Sequence, residues 1–203
     1  MDRMRPVLGW RDWLRNARLC NESMRYFERQ GLIKRLGTNI ATDNVLGHLR
    51  KAYHNLRLAN RLFDMHENNQ FEFRYEGETN FDWIVTMCYY SMYQACLAAL
   101  AAVRKTGETH IATICAMVYH YFHKRKRLNE QYLLALEQVG TLASHDIQKL
   151  IASKEQREKV SYDSSFLTQR GIAQAALNDS REFVTKVREI LEEGLGEKLL
   201  KGI

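Results

Sequence analysis

The sequence predicts an all-α fold: an antiparallel up-and-down bundle of four core helices, with an extra N-terminal helix and short decorating helices. Three observations carry this. A single proline in 203 residues leaves almost nothing to break helices. Apolar residues recur at spacings of three and four over long stretches. A run of 21 residues without a charge, Trp83 to Val103, lies near the middle of the chain and suits a helix buried on most faces. The hydrophobic share of 45% argues against bulk disorder. Strand–helix alternation is missing, which excludes a Rossmann-type or P-loop architecture.

The elements follow in order. A first helix is expected over about 10–30, stopped by Gly31 in the position that favours a left-handed residue after a helix. A connector, GLIKRLGTNIAT, leads to a helix over about 43–66, with Asp43 as its cap. There Val45, Leu46, Leu49, Tyr53, Leu56, Ala59 and Phe63 make one face. Residues 67–80 interrupt the pattern and are acidic; Phe71, Phe73 and Tyr75 alternate with polar residues, as in a short strand or hairpin. The apolar helix occupies about 80–105, and the loop KTGE leads to a helix over about 110–124 that ends in the basic run Lys124 to Arg127. Shorter helices are expected near 129–139 and 144–158. The last core helix spans about 166–193, with Ile172, Ala175, Ala176, Phe183, Val184, Val187 and Ile190 on one side. The chain thus divides into a basic N-terminal helix and connector (1–42), a bundle (43–193) and a tail (194–203) expected to fray.

Trp83 to Val103 is long enough to span a bilayer, but its tyrosines and other polar groups cluster at its centre, whereas spanning helices place tyrosine at the interfaces. It is therefore read as a buried bundle helix, with no membrane partner. Cys20, Cys88, Cys96 and Cys115 form no CxxC pair and read as buried reduced thiols of a cytoplasmic protein; the N-terminus carries no apolar secretion signal. The net charge of +6 is uneven: residues 1–42 hold nine Lys/Arg against four Asp/Glu, and the remainder is nearly balanced. That permits nucleic-acid partners without demonstrating them.

Several stretches then carry a family resemblance. GLIKRLGTNIATDNVLGHLRKAYHNLRLANRLFD resembles the entry to prokaryotic HEPN-domain proteins, and CYYSMYQACLAAL the family's second core helix. A glycine loop reaching a histidine in KTGETH, the aromatic helix ICAMVYHYFHK and a late REKVSY follow in the family's order, over about residues 29–191. REKVSY resembles the late Arg…Asp-Tyr signature of the branch often paired with minimal nucleotidyltransferases, although Ser161 stands where the Asp is common. The resemblance implies an up-and-down bundle, often a homodimer, associated with nucleotides or RNA. It implies pairing with a small nucleotidyltransferase, often as a toxin–antitoxin system. In other members it implies a metal-independent ribonuclease with an Arg-x4–6-His motif.

Two stretches satisfy that spacing: Arg61 to His66 and Arg104 to His110. Chance alone gives roughly two such matches in a chain of this composition. Arg104 and His110 are the candidate catalytic pair because they flank a glycine loop between core helices. Metal-free RNA cleavage needs a base for the 2′-hydroxyl and a fixed cation for the phosphorane, which histidine and arginine supply. The competing reading makes His110 a residue that fixes the loop. Lys105, Lys124, Arg125 and Arg127 are candidate phosphate contacts, and otherwise a solvated helix end that suits the macrodipole. Arg157 and Tyr162 either close over a nucleotide phosphate or anchor the last helix. His120 and His123 lie three apart with no third ligand, so they read as packing and surface residues; no metal or cofactor is implied. Tyr89, Tyr90, Tyr93, Tyr119 and Tyr121 read mainly as core. The expectation is a HEPN-like protein that binds nucleotide or RNA and pairs with a nucleotidyltransferase. The alternatives are a ribonuclease using Arg104 and His110, and a non-catalytic interaction module.

Overall fold

A computed structural model of the protein describes residues 9–72, 79–140, 170–201 and 203. The expected helix near 144–158, the loop bearing Arg157 and Tyr162, the first residues of the last helix, and Phe73 and Tyr75 of the expected strand lie outside the described residues.

The chain is a helical bundle built around one apolar helix. The described helices are α1 (Trp10–Arg15), α2 (Ala17–Arg29), α3 (Thr38–Glu67), α4 (Phe81–Ala102), α5 (His110–Met117), α6 (from 130 to at least 140), α7 (Arg170–Leu195) and α8 (Glu197–Leu200). α4 packs against α3, α7 and α5. Its length and hydropathy match those of a membrane span, yet 72% of its most apolar window is buried inside the bundle. The α3 stripe is buried as Val45, Leu49, Ala52, Leu56, Ala59 and Phe63, while Leu46 and Tyr53 are half-buried. On α7, Phe183, Val184 and Val187 are fully buried, but Ala175 is exposed. The N-terminal helices join the same core through Trp10, Trp13, Cys20 and Met24.

Four local features differ from the sequence reading. The first helix is broken at Asn16, whose extended backbone caps α2 while its side chain accepts from Leu19 N–H at 3.1 Å; asparagine competes with the helix for that donor. α3 begins at Thr38, after Gly37, rather than at Asp43. Ala41 is buried and extends the stripe one turn upstream, so Asp43 lies inside the helix. The connector and the KTGE loop are paired strands: β1 (Ile33–Arg35) runs antiparallel to β2 (Lys105–Gly107), with Ile33 opposite Gly107 and Arg35 opposite Lys105. Three-residue strands have too few positions to show a period. Finally, the tail does not simply fray: Gly196 (φ +87°) turns the chain, and Leu200 of α8 is buried in the core.

Gly31 stands where expected. It has φ +67°, and Leu32 N–H reaches Phe27 C=O at 2.9 Å while Gly31 N–H reaches Glu28 C=O at 3.1 Å. These two bonds close the end of α2 and aim the chain into β1. The helix expected over 110–124 changes character halfway. Beyond Met117 it widens into a π-helical segment, Val118–Lys124. There Tyr121 donates to the Ala99 carbonyl of α4 at 2.5 Å, and His123 Nε2 meets the Trp13 carbonyl of α1 at 2.7 Å.

Candidate functional site

Two histidine-centred clusters lie along the helical stretch that follows β2, and they are built differently. The first lies at the start of α5. Thr109 caps α5 by accepting from Ala112 N–H at 3.3 Å, which fixes His110 as the first helical residue. Gly107 comes so close to α5 that a Cβ there would lie 2.2 Å from Thr113 Oγ1. The His110 ring stacks on Tyr93 with centroids 4.2 Å apart, and its Nδ1 hydrogen-bonds the Tyr89 hydroxyl. Gly140 of α6 backs Tyr89: a Cβ at Gly140 would lie 2.7 Å from the Tyr89 ring.

Burial raises the phenol pKa of Tyr89 and of Tyr93 and lowers that of His110. The cause is the same in each case, since desolvation disfavours the charged form. Tyr89 therefore stays protonated beside a neutral His110, and the two share one hydrogen bond at Nδ1.

Arg104 does not join this cluster. It occupies the left-handed region (φ +58°) just past α4. Its Nε donates to the Leu36 carbonyl at 3.3 Å, and its own carbonyl accepts from Leu36 N–H at 2.9 Å. Arg104 thus clamps the end of α4 to the segment entering α3. Tyr93, against which His110 stacks, lies nine residues before the last residue of α4, on the order of 14 Å of helix rise. Arg104 and His110 thus bond to different partners, the Leu36 carbonyl and the Tyr89 hydroxyl. The other match, Arg61 and His66, lies near the end of α3, with the His66 ring on Phe81 (centroids 4.2 Å) and Arg61 exposed.

The second cluster centres on His120 in the π-helical segment. Lys124 lies one turn further along and stands 4.7 Å over the Tyr119 ring; Arg125 follows, its N–H on the His120 carbonyl at 3.2 Å and its guanidinium over the Tyr121 ring. α2 packs against the same segment and brings Glu28, whose carboxylate holds Lys105 Nζ at 2.6 Å. His120 is the point on which these groups act: its pKa is pushed down to about 4 by burial, then by Lys124, Lys105 and Arg125, with Glu28 opposing. Its Nε2 is buried and has no hydrogen-bond partner among the described residues.

Lys105 of the ribbon is tied by Glu28 to α2, which packs on the π-helical segment. Arg127 turns away and pairs with Glu193 on α7; Arg125 and Arg127 flank a shallow hollow floored by Ile190 and Gly194. Sequence reasoning left His120 and Glu28 out of the site. The one signal for His120 was its spacing of four residues from Lys124; Glu28 gave none, because its role depends on how α2 docks. No protein-family model matches the chain, and no curated protein matches it either.

Proposed function

We propose that this chain is a HEPN-type helical protein that binds RNA by its phosphates and acts as a partner of a second protein. The observation that supports the reading is the exposed pair Lys124 and Arg125 at the end of the π-helical segment, with Lys105 tied through Glu28 to α2, the helix packed on that segment. Clustered cations on one exposed face are the electrostatic footprint of a phosphate-binding surface. The aromatic rings under Lys124 and Arg125 hold these side chains in place and add faces on which bases can stack. Exposed Trp83 and Tyr90, two turns apart on α4, support the protein-contact half of the reading: a second copy or a nucleotidyltransferase. Arg104 and His110 each bond a structural partner, Leu36 and Tyr89, and that favours binding over metal-free cleavage within one chain.

The test is fluorescence anisotropy with a labelled single-stranded RNA across a salt series. The wild-type chain should show log affinity falling linearly with log salt. The triple variant Lys105→Ala, Lys124→Ala, Arg125→Ala should lower the slope by about two, near 0.7 per phosphate contact. An unchanged slope would sink the assignment of this face.

A further inference from the structure

α2 and α7 carry ion pairs at three or four residues: Arg18 with Glu22, Lys186 with Glu189 and Arg188 with Glu192. α3 is built otherwise. Between Asp43 and Asp64 it holds Arg50, Lys51, Arg57 and Arg61 and no carboxylate. All four are exposed, as is His54. Among the described residues none of the four is in an ion pair. Arg50, His54, Arg57 and Arg61 follow one another at four, three and four residues, so they share one side of the helix, opposite the buried Val45, Leu49, Leu56 and Phe63. The row is on the order of 16 Å long. Arg181 of α7, also exposed, donates to Asn60 Oδ1 at 2.7 Å and adds a cation beside it. Like charges at such spacings destabilise a helix, as Arg57 and Arg61 do here. A local rule broken with no compensating contact in the chain points to a ligand outside it.

We propose that the outer face of α3 is a track for the phosphate backbone of a double-stranded nucleic acid. The make-up of the row selects that ligand. A protein-docking face centres on apolar or aromatic anchors and is poor in charge. Here the charge is at the centre, and Leu58, 38% exposed, lies at the edge. A single strand is held by aromatic rings on which its bases stack. The row has none: Tyr53 is half-buried and turned to Arg188 of α7. Three of the four cations are arginines, whose fork matches phosphate oxygens. A duplex is an evenly charged rod, and a straight helix sets its cations along such a rod at a regular rise. α3 packs on α4 and α7, whereas the π-helical segment packs on α1, α2 and α5. The track therefore stands apart from the face formed by Lys124 and Arg125, and does not depend on the single-stranded RNA reading.

The experiment is fluorescence anisotropy of the full chain with a labelled RNA duplex, the DNA duplex of the same sequence and a poly-glutamate peptide, across a salt series. RNA and DNA duplexes share the backbone charge; binding of both, or of one alone, identifies the source and supports the track. The triple variant Arg50→Gln, Arg57→Gln, Arg61→Gln should lower the DNA salt slope by about 2.7, near 0.9 per lost contact, and weaken binding at low salt by about tenfold or more. The corresponding triple lysine variant should keep the slope, because the charge stays. The control Arg15→Gln, Arg18→Gln, Arg25→Gln removes the same net charge from exposed positions of α1 and α2 and should leave the slope unchanged. The urea midpoint of the α3 glutamine variant should stay level or rise, since repulsion is relieved. A fall in that midpoint would assign the arginines to the fold and overturn the proposal. Equal slope losses in the two glutamine variants would show a response to net charge alone and overturn the track. Absence of duplex binding, or poly-glutamate binding with the same dependence on the row, overturns it as well. If the duplexes bind through the row while single-stranded RNA ignores Lys105, Lys124 and Arg125, the track stands and the single-strand reading falls.

Discussion

His110 and His120 lie ten residues apart on one continuous helical stretch, and burial lowers the pKa of both, yet their surroundings are opposite. His110 is satisfied: a tyrosine hydroxyl binds its Nδ1 and a second tyrosine covers its face. Its neighbours are neutral and add rigidity. Among the described residues His120 Nε2 has no hydrogen-bond partner, and the charges of Lys124, Lys105 and Arg125 add to burial in lowering its pKa while Glu28 opposes them. The comparison teaches that a lowered histidine pKa does not by itself mark function. At His110 the shift comes from packing alone, whereas at His120 packing and gathered positive charge act together, and gathered charge is what an anion can use.

The largest expected effect strikes the frame that both clusters share. Gly107→Ala should destabilise the protein by about 3 kcal/mol in urea unfolding, because the added methyl meets Thr113 side chain and backbone beneath a strand that cannot move away. Next, Lys124→Ala with Arg125→Ala should weaken RNA binding about tenfold near physiological salt, while His110→Ala leaves affinity unchanged within twofold. If His110→Ala weakens binding as much as the charge removal does, the two clusters form one site and the contrast is lost.

A smaller effect separates the two by pH. The folded-state pKa of His120 is about 4, below the ordinary value of 6.5, so the unfolded chain binds the proton more readily. The stability that comes from keeping His120 neutral is therefore present above about pH 6.5 and is lost as pH falls toward 4. After allowance for the ring's partial exposure, the loss should be on the order of 1 kcal/mol. It should disappear in His120→Leu, as read from urea midpoints at pH 7 and pH 4.5. Tyr89→Phe should cost about 1 kcal/mol, the value of one hydrogen bond, and leave RNA affinity untouched. The smallest effect is expected from Arg104→Ala: RNA affinity within twofold of wild type, with any change appearing in stability through the lost bond to Leu36.

Much of the scaffold was legible. The α3 stripe from Val45 to Phe63 repeats at three and four residues over about five turns, and such a pattern has one reading. The charge-free α4 had to be central, because no other position buries so many faces. Gly31 announced the end of α2, because an αL residue is needed there and glycine adopts it without strain. What escaped were features resting on single residues or very short segments: Asn16 as a cap inside a helical pattern, Ala41 as a core residue, and the pairing of Ile33–Arg35 with Lys105–Gly107. Of the site, the basic residues Lys105, Lys124 and Arg125 could be named from charge alone. Their neighbours could not, and the spacing that linked Arg104 to His110 gave no sign that each bonds a different element. Six residues apart in sequence, the two are turned to different neighbours by a strand and a left-handed corner.

By itself, then, the sequence determined the helical class, the central helix and the uneven charge, because these follow from local periodicity and composition. Only the tertiary structure decided which groups face one another: the β1–β2 register sets Lys105 opposite Arg35, and the docking of α2 on the π-helical segment brings Glu28 to Lys105. Contacts between residues 77 apart, such as Lys105 with Glu28, leave no periodic trace in the chain. They exist because burying the shared core leaves those elements no other arrangement.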